Sequence, residues 1–133
     1  PSEMCIRDRV NTAKIANETP DLTMFNGHAN QYVFEPLKAR VGGRVRIWVL
    51  AAGPSRGCSF HVVGTQFDTV FKEGAYTLKR GNPEGGGCQA LDLASAQGGF
   101  VEMVFEEPGR YTFVNHSFVE MERGAKGFIE VTT

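Results

Sequence analysis

Apolar residues in this chain recur mostly with a period of two, and the helical period of 3.6 is nearly absent. The segment RVRIWVL (44–50) shows it best, because Val45, Ile47 and Val49 alternate with the residues between them. This alternation is typical of a β-strand with one buried face. Val41-Gly42-Gly43 separates the segment from an earlier strand, and further short β-rich segments follow between Gly and Pro turns. The pattern predicts an all-β domain with the architecture of a β-sandwich.

The later segments carry more specific predictions. SFHVV (59–63) and another short segment at 67–71 are predicted to be strands. KEGAYTLKRGNPEGGGC is predicted to be a long loop, and GFVEMVFEEPGRYTFVNH a β-hairpin that turns at Pro108-Gly109. Trp48 is expected in the core or at an interface rather than at a binding surface.

Composition and charge exclude some functions. The 133 residues suffice for one domain with a substantial core, and the 16 glycines suit a loop-rich β fold. A net charge of −1 offers no electrostatic basis for binding nucleic acid or an anionic membrane. No apolar run approaches the roughly 20 residues needed to cross a bilayer. We therefore predict no nucleic-acid partner and no membrane span in this chain.

The first nine residues have a different origin in our interpretation. The string MCIRD at positions 4–8 matches the translation of a sequencing-library adapter, ATGTGTATAAGAGAC. We interpret residues 1–9 as non-native, adapter-derived sequence, with a genuine polar N-terminal tail as the alternative. Residues 10–20 are expected to be a linker or short helix, and residues 21–133 the folded domain. The native protein is then expected to continue upstream.

Two histidines are candidates for metal chemistry. His61 lies within one predicted strand and His116 at the end of another, so both are expected at the same pole of a sandwich. Two imidazoles are too few for a copper or zinc site, which takes three or four ligands. A buried, hydrogen-bonded histidine remains the alternative for each. His28, in a loop, is expected to be solvated.

The segment after His116 excludes one kind of copper site. A type 1 copper centre needs a cysteine and a second histidine beside the first, together with a weak axial ligand. Here Ser117 occupies the position of the cysteine, and no second histidine follows. We therefore predict that residues 21–133 form a domain without a type 1 copper site.

Cys58 precedes the strand predicted at 59–63, and Cys88 precedes QALDLASAQGG, which is predicted to be a strand followed by a turn. In an exported protein they could form a disulfide, which would stabilise the fold by about 3 kcal/mol. Two ordinary thiols are the alternative, and the sequence leaves both open.

From Asp21 to Thr133 the chain resembles the second cupredoxin domain of copper-containing nitrite reductases and their multicopper-oxidase-like relatives. The resemblance rests on SFHVVGTQFDTVFKEG, on the Glu-Glu-Pro-Gly turn, and on VNHSFVEMERGAKG. It implies a Greek-key, cupredoxin-like β-sandwich. It also implies a homotrimer whose type 2 copper lies between subunits, with two histidines from the first domain of one subunit and a third from the second domain of its neighbour.

The resemblance implies a role for three residues. His116 corresponds to the third copper ligand, His61 to the catalytic histidine of the second sphere, and Val63 to the apolar residue that crowds nitrite over the metal. In the family a threonine supports the catalytic histidine, whereas this chain has Gln89-Ala90 at that place.

The implied reaction converts nitrite to nitric oxide with one electron and two protons. The electron would come from a small donor protein through a type 1 copper in the missing upstream domain, in a periplasmic or exported enzyme. Two other functions stay open: a laccase-like multicopper oxidase domain, and a redox-silent structural cupredoxin domain. A laccase needs His-x-His pairs and a His-Cys-His segment, and this sequence contains neither.

Overall fold

The computed structural model describes residues 10–133, and the segment interpreted as adapter-derived lies outside this range. The described residues form three short helices, α1 (Thr12–Ala16), α2 (Gln31–Phe34) and α3 (Phe118–Glu122). They also form nine strands: β1 (Leu37–Arg40), β2 (Arg44–Leu50), β3 (Cys58–Val62), β4 (Thr69–Lys72), β5 (Ala75–Leu78), β6 (Ala90–Leu93), β7 (Gly98–Val104), β8 (Gly109–Asn115) and β9 (Lys126–Thr132).

The strands form two sheets. One has five strands in the order β1-β9-β8-β3-β6, and the other has four in the order β2-β7-β4-β5. All pairs are antiparallel except β1 with β9. The chain passes repeatedly from one sheet to the other, which confirms the predicted Greek-key β-sandwich.

Alternating side chains fill the space between the sheets. Along β2, Val45, Ile47 and Val49 are half-buried while their neighbours are exposed, as predicted. On β3, Phe60 and Val62 are only 2% and 0% exposed. Because Phe60 and Val62 point into the core, His61 between them lies on the outer face of the five-stranded sheet.

The predicted hairpin around Pro108-Gly109 is wrong. β7 lies in the four-stranded sheet and β8 in the five-stranded sheet, so the segment between them crosses the sandwich. Phe105 in this crossing is 1% exposed and contacts the ring of Tyr111, with ring centroids 4.5 Å apart. Burying Phe105 between the sheets outweighs the local turn signal.

The prediction of an unbroken loop after β4 is also wrong, because β5 pairs with β4. Glu73, in the turn between them, has a φ of 58°. β5 is an edge strand whose first three residues are exposed. It therefore lacks the alternation of apolar and polar residues that indicates a strand in the sequence.

Trp48 does not lie in the core. Its side chain is 66% exposed on the outer face of the four-stranded sheet and contacts Phe100, with ring centroids 4.8 Å apart. Its role at an interface stays a prediction. No helix among residues 10–133 is long and apolar enough to cross a membrane.

Cys58 and Cys88 are free thiols, so the disulfide alternative is wrong. Cys58 lies opposite Leu93 at one end of the β3–β6 ladder, whereas Cys88 lies beyond the other end, where it forms an isolated bridge with Phe67. The four paired positions of this ladder span roughly 10 Å along the strands, which exceeds the roughly 4.4–6.8 Å between Cα atoms that a disulfide requires. Burial raises the pKa of Cys58 to about 11, so its thiol stays protonated at neutral pH.

A network of charges covers the outer face of the four-stranded sheet. The guanidinium group of Arg44 donates to both carboxylate oxygens of Asp68, at 2.9 and 2.6 Å, and also to Glu102. The hydrogen bond from Arg44 holds the pKa of Asp68 below its ordinary value. Burial alone would raise the pKa of Glu102, but the hydrogen bonds from Arg44 and Arg46 outweigh it and lower that pKa.

We expect this network to make the fold sensitive to acid. The pKa values of Asp68 and Glu102 are lower in the folded state than in the unfolded state. The network therefore stabilises the fold fully at a pH above the unfolded-state pKa values. This contribution is lost as the pH falls through the folded-state pKa values. Arg44→Met should flatten the decline of the unfolding free energy between neutral pH and about pH 3, measured by urea denaturation. Arg40→Met removes the same charge from a side chain that has no carboxylate partner among residues 10–133, and should leave the decline unchanged. An equally steep decline in Arg44→Met would contradict the prediction.

Candidate metal centre

The structure brings His61 and His116 together on the outer face of the five-stranded sheet. β3 and β8 pair with His61 opposite Val114, and the backbone N–H of His116 continues this ladder by donating to the carbonyl of Ser59 at 2.8 Å. The two histidines are therefore diagonal neighbours on one face, a separation that aromatic side chains can bridge. Their ring centroids are 5.4 Å apart, with an angle of 64° between the planes.

His61 is half-buried, and one of its ring nitrogens is fixed. Nδ1 lies 2.5 Å from the backbone carbonyl oxygen of Gln89. A carbonyl oxygen can only accept, so Nδ1 carries the hydrogen of this bond. Nε2 then carries the lone pair of the neutral ring. A backbone carbonyl therefore sets the orientation of the His61 ring.

His116 is exposed, and no residue among those described forms a hydrogen bond with its ring. Its imidazole stacks on Phe118, with centroids 4.9 Å apart and an angle of 22° between the planes. The alternative of a buried, hydrogen-bonded histidine is therefore wrong for His116. Both ring nitrogens remain open to a ligand that approaches from outside the domain.

Asn115 fixes the backbone on both sides of His116, a role that we did not predict. Its side chain is buried, with a residue exposure of 5%, and Oδ1 accepts hydrogen bonds from the N–H groups of Ser59 at 3.1 Å and Ser117 at 3.3 Å. The sequence signal was an asparagine at the end of a strand, where its side chain can replace backbone partners. His116 therefore emerges from a strand end that is held on two sides.

Apolar side chains surround the pair without covering it. Val63 lies two residues beyond His61 on the same face, and its N–H donates to the carbonyl of Thr112 at 2.8 Å, which continues the ladder. Val63 is 50% exposed, and Phe118 and Val119 beside His116 are 59% and 53% exposed. The surface around the two imidazoles is thus apolar and open to solvent.

The third histidine takes no part in this cluster. His28 is exposed and forms an isolated bridge with Phe25 before α2, as expected for a solvated loop residue. Between residues 10 and 133, no group of three or more His, Cys, Asp or Glu side chains is placed to hold a metal.

The donor set fits part of a metal site and not a complete one. An exposed neutral imidazole without a hydrogen-bond partner is the ligand type that copper accepts. His116 supplies one such donor, and Nε2 of His61 is a second, because only its Nδ1 is bound to a carbonyl. Further ligands would have to come from outside the described residues.

The chain is similar to copper proteins over most of its length. It is 34% identical over 120 residues to the copper-containing nitrite reductase of Neisseria gonorrhoeae, a match that covers 89% of this chain. Its fold superposes with a TM-score of 0.78 on a Cu-containing nitrite reductase from Thermus scotoductus SA-01, at 28% identity over 92% of this chain. It also superposes on a multicopper oxidase, with a TM-score of 0.71 and 25% identity over 84% of this chain.

These matches involve only part of each relative. The chain spans 29% of the Neisseria protein, 28% of the Thermus chain and 37% of the multicopper oxidase chain. No family model matches the chain. The matched proteins bear out the predicted cupredoxin-like fold.

Proposed function

This chain is a cupredoxin domain of the copper-containing nitrite reductase and multicopper oxidase family, and from this premise we propose that it forms part of an enzyme that reduces nitrite to nitric oxide. It would be the second cupredoxin domain of that enzyme. The observation that carries the proposal is the exposed His116 ring, which forms no hydrogen bond to the described residues. Its centroid lies 5.4 Å from that of the His61 ring, which the Gln89 carbonyl orients.

His116 would hold a type 2 copper together with two histidines from the first domain of a neighbouring subunit. Three imidazoles leave one coordination position open for a small anion. When bound, the copper would act as the Lewis acid for nitrite and pass on the electron, which reaches it from a type 1 copper in the upstream domain. The exposed ring and the apolar surface around it support a shared site, because this domain supplies too few ligands alone.

His61 would supply one of the two protons, and an Asp of the upstream domain would supply the other through a bridging water. The reaction joins nitrite, one electron and two protons, breaks one N–O bond, and yields nitric oxide and water. With Nδ1 bound to the Gln89 carbonyl, a protonated His61 ring can donate only from Nε2. Histidine suits this task because it gains and loses protons near neutral pH.

Val63 would restrict the space above the metal. Its half-exposed side chain lies on the same face as His61, two residues away. A branched apolar side chain there offers nitrite no hydrogen bond and limits its orientations by contact. We place the enzyme in the periplasm or outside the cell, as a homotrimer that receives electrons from a small donor protein.

The full-length protein provides the test. Its coding sequence would be recovered upstream of this chain, and the purified protein assayed for nitric oxide formed from nitrite with a chemical reductant. We expect nitric oxide in proportion to the copper content, and its loss after copper is removed with a chelator. Copper-loaded protein that forms no nitric oxide would contradict the proposal.

A multicopper oxidase is the second candidate, and the similarity to a multicopper oxidase structure favours it. The three histidines of this sequence cannot build a trinuclear cluster, so the upstream domain would have to supply most ligands. The same preparation should therefore be assayed for oxygen consumption with a phenolic substrate. Oxygen consumption without nitric oxide formation would favour the oxidase. A protein that binds no copper would favour a structural domain.

We expect this 133-residue chain alone to form no nitric oxide from nitrite, even with added copper. One exposed imidazole cannot retain the ion, and the described residues offer no group of three ligands. The measurement is nitric oxide formation by the purified chain, with the full-length protein at equal molar concentration as the positive control. Turnover by the isolated chain would contradict the shared site.

A further inference from the structure

We infer that Glu120 is a positioning residue for His116, acting through helix α3 and Phe118. The positional part of this inference stands on the structure alone. Its consequence for the metal rests on the proposed function.

Glu120 is a buried carboxylate with three partners. It is 3% exposed and is the only buried residue of α3. Oε2 accepts a hydrogen bond from the hydroxyl of Thr23, and Oε1 accepts one from the Arg56 guanidinium at 3.1 Å. Arg123 approaches Oε1 at 4.0 Å. A carboxylate this deeply buried is costly unless it is paired, so these contacts are needed for the observed position.

The partners come from separate parts of the chain. Thr23 belongs to the segment before α2, and Arg56 to the loop between β2 and β3. Arg56 also donates to Glu18 at 2.8 Å, which ties this loop to the N-terminal segment. Glu120 therefore joins α3 to two other segments of the fold.

α3 depends on tertiary contacts, which include the Glu120 contacts and backbone hydrogen bonds from Thr23 to the Arg123 carbonyl at 3.2 Å and from Asn30 to the Gly124 carbonyl at 3.0 Å. It contains five residues, and Ser117 at its N-cap forms no side-chain hydrogen bond with it. A helix this short is unstable in isolation, so its position depends on tertiary contacts. Loss of the Glu120 contacts is expected to let the helix shift.

A shift of α3 would reach His116 directly. Phe118 is the first residue of the helix, two residues before Glu120, and its ring stacks on the His116 imidazole. The His116 ring has no hydrogen bond to the described residues, so its orientation depends on ring contacts, namely this stacking and the edge contact with His61. Side chains that orient a metal ligand typically affect metal affinity by about 10–100-fold.

The first test uses this chain without metal. Aromatic proton NMR of His116, assigned by the loss of its signals in His116→Gln, reports the ring current of Phe118. The Phe118→Leu variant gives the chemical shifts that the His116 protons have when no aromatic ring stacks on them. We expect Glu120→Ala to move the His116 signals at least halfway to those values, and Glu120→Gln, which keeps a hydrogen-bonding side chain, to move them less.

Glu122→Gln is the matched control, since Glu122 is an exposed residue of the same helix. It should leave the His116 signals in place. Unchanged His116 signals in folded Glu120→Ala would overturn the inference. If Glu120→Ala does not fold, Glu120→Gln decides: a displacement toward the Phe118→Leu values supports the inference, and unchanged signals overturn it.

The second test uses the full-length protein. We expect Glu120→Ala, or Glu120→Gln if the alanine variant does not fold, to weaken type 2 copper binding by about 10-fold or more and to change its EPR signal, with Glu122→Gln unchanged. If His116→Ala keeps its copper while Glu120 variants still displace the NMR signals, the proposed function fails and the positioning role stands. If His116→Ala loses copper while Glu120 variants change neither signal, the positioning role fails and the proposed function stands.

Discussion

His116→Ala in the full-length protein is expected to lose the type 2 copper and essentially all nitrite reduction. The exposed His116 ring is the only imidazole of residues 10–133 that is both near His61 and free of hydrogen bonds to the described residues. Removing one of three ligands leaves a site that cannot retain the ion. Copper content, the EPR signal of type 2 copper and nitric oxide formation should fall together, while a type 1 copper spectrum from the upstream domain persists.

The control separates the loss of a ligand from damage to the fold. His28→Ala removes an exposed imidazole from a loop outside the candidate site, and should keep both copper and activity. Because His116 is itself exposed, His116→Ala should change the free energy of unfolding by only about 0.5 kcal/mol or less. Full type 2 copper in His116→Ala would contradict the ligand assignment.

His61→Gln is expected to lower kcat for nitrite reduction by about 10²–10⁴-fold while the copper content stays near that of the parent. Glutamine has similar polarity but cannot supply a proton at neutral pH. His61 is proposed to act beside the metal, with Nδ1 held by the Gln89 carbonyl and Nε2 left to transfer the proton. Steady-state kinetics and copper analysis of the same preparation measure the two effects separately.

Gln89→Ala provides the matching control for His61. The hydrogen bond uses the backbone carbonyl of Gln89, so removing its exposed side chain should leave kcat within about twofold of the parent. A kcat for His61→Gln close to that of the parent would rule out the proton-transfer role.

Several features of the fold follow from local patterns of the sequence. The alternation along β2 correctly predicted which residues face the core, because one buried face imposes a period of two. The pairing of strands did not follow in the same way. Pro108-Gly109 carries a turn signal, but the burial of Phe105 sends β7 and β8 to different sheets. A turn signal reports local backbone preference and cannot specify the sheet that receives the next strand.

The candidate site was predictable only in part. Residue type and strand position identified His61 and His116, and the structure places their rings side by side. The contacts that orient them were not readable from residue types. A backbone carbonyl fixes His61, and the importance of Glu120 depends on Thr23 and Arg56, which are distant in sequence. Such contacts appear only when the chain is folded.

The most direct test of the shared site is anomalous diffraction at the copper absorption edge from crystals of the full-length protein. The proposal predicts a copper peak within bonding distance of a ring nitrogen of His116, with the remaining protein ligands from another subunit. It also predicts that the His61 ring lies near this copper without binding it. A peak whose ligands all come from one subunit, or no peak beside His116, would contradict the proposal.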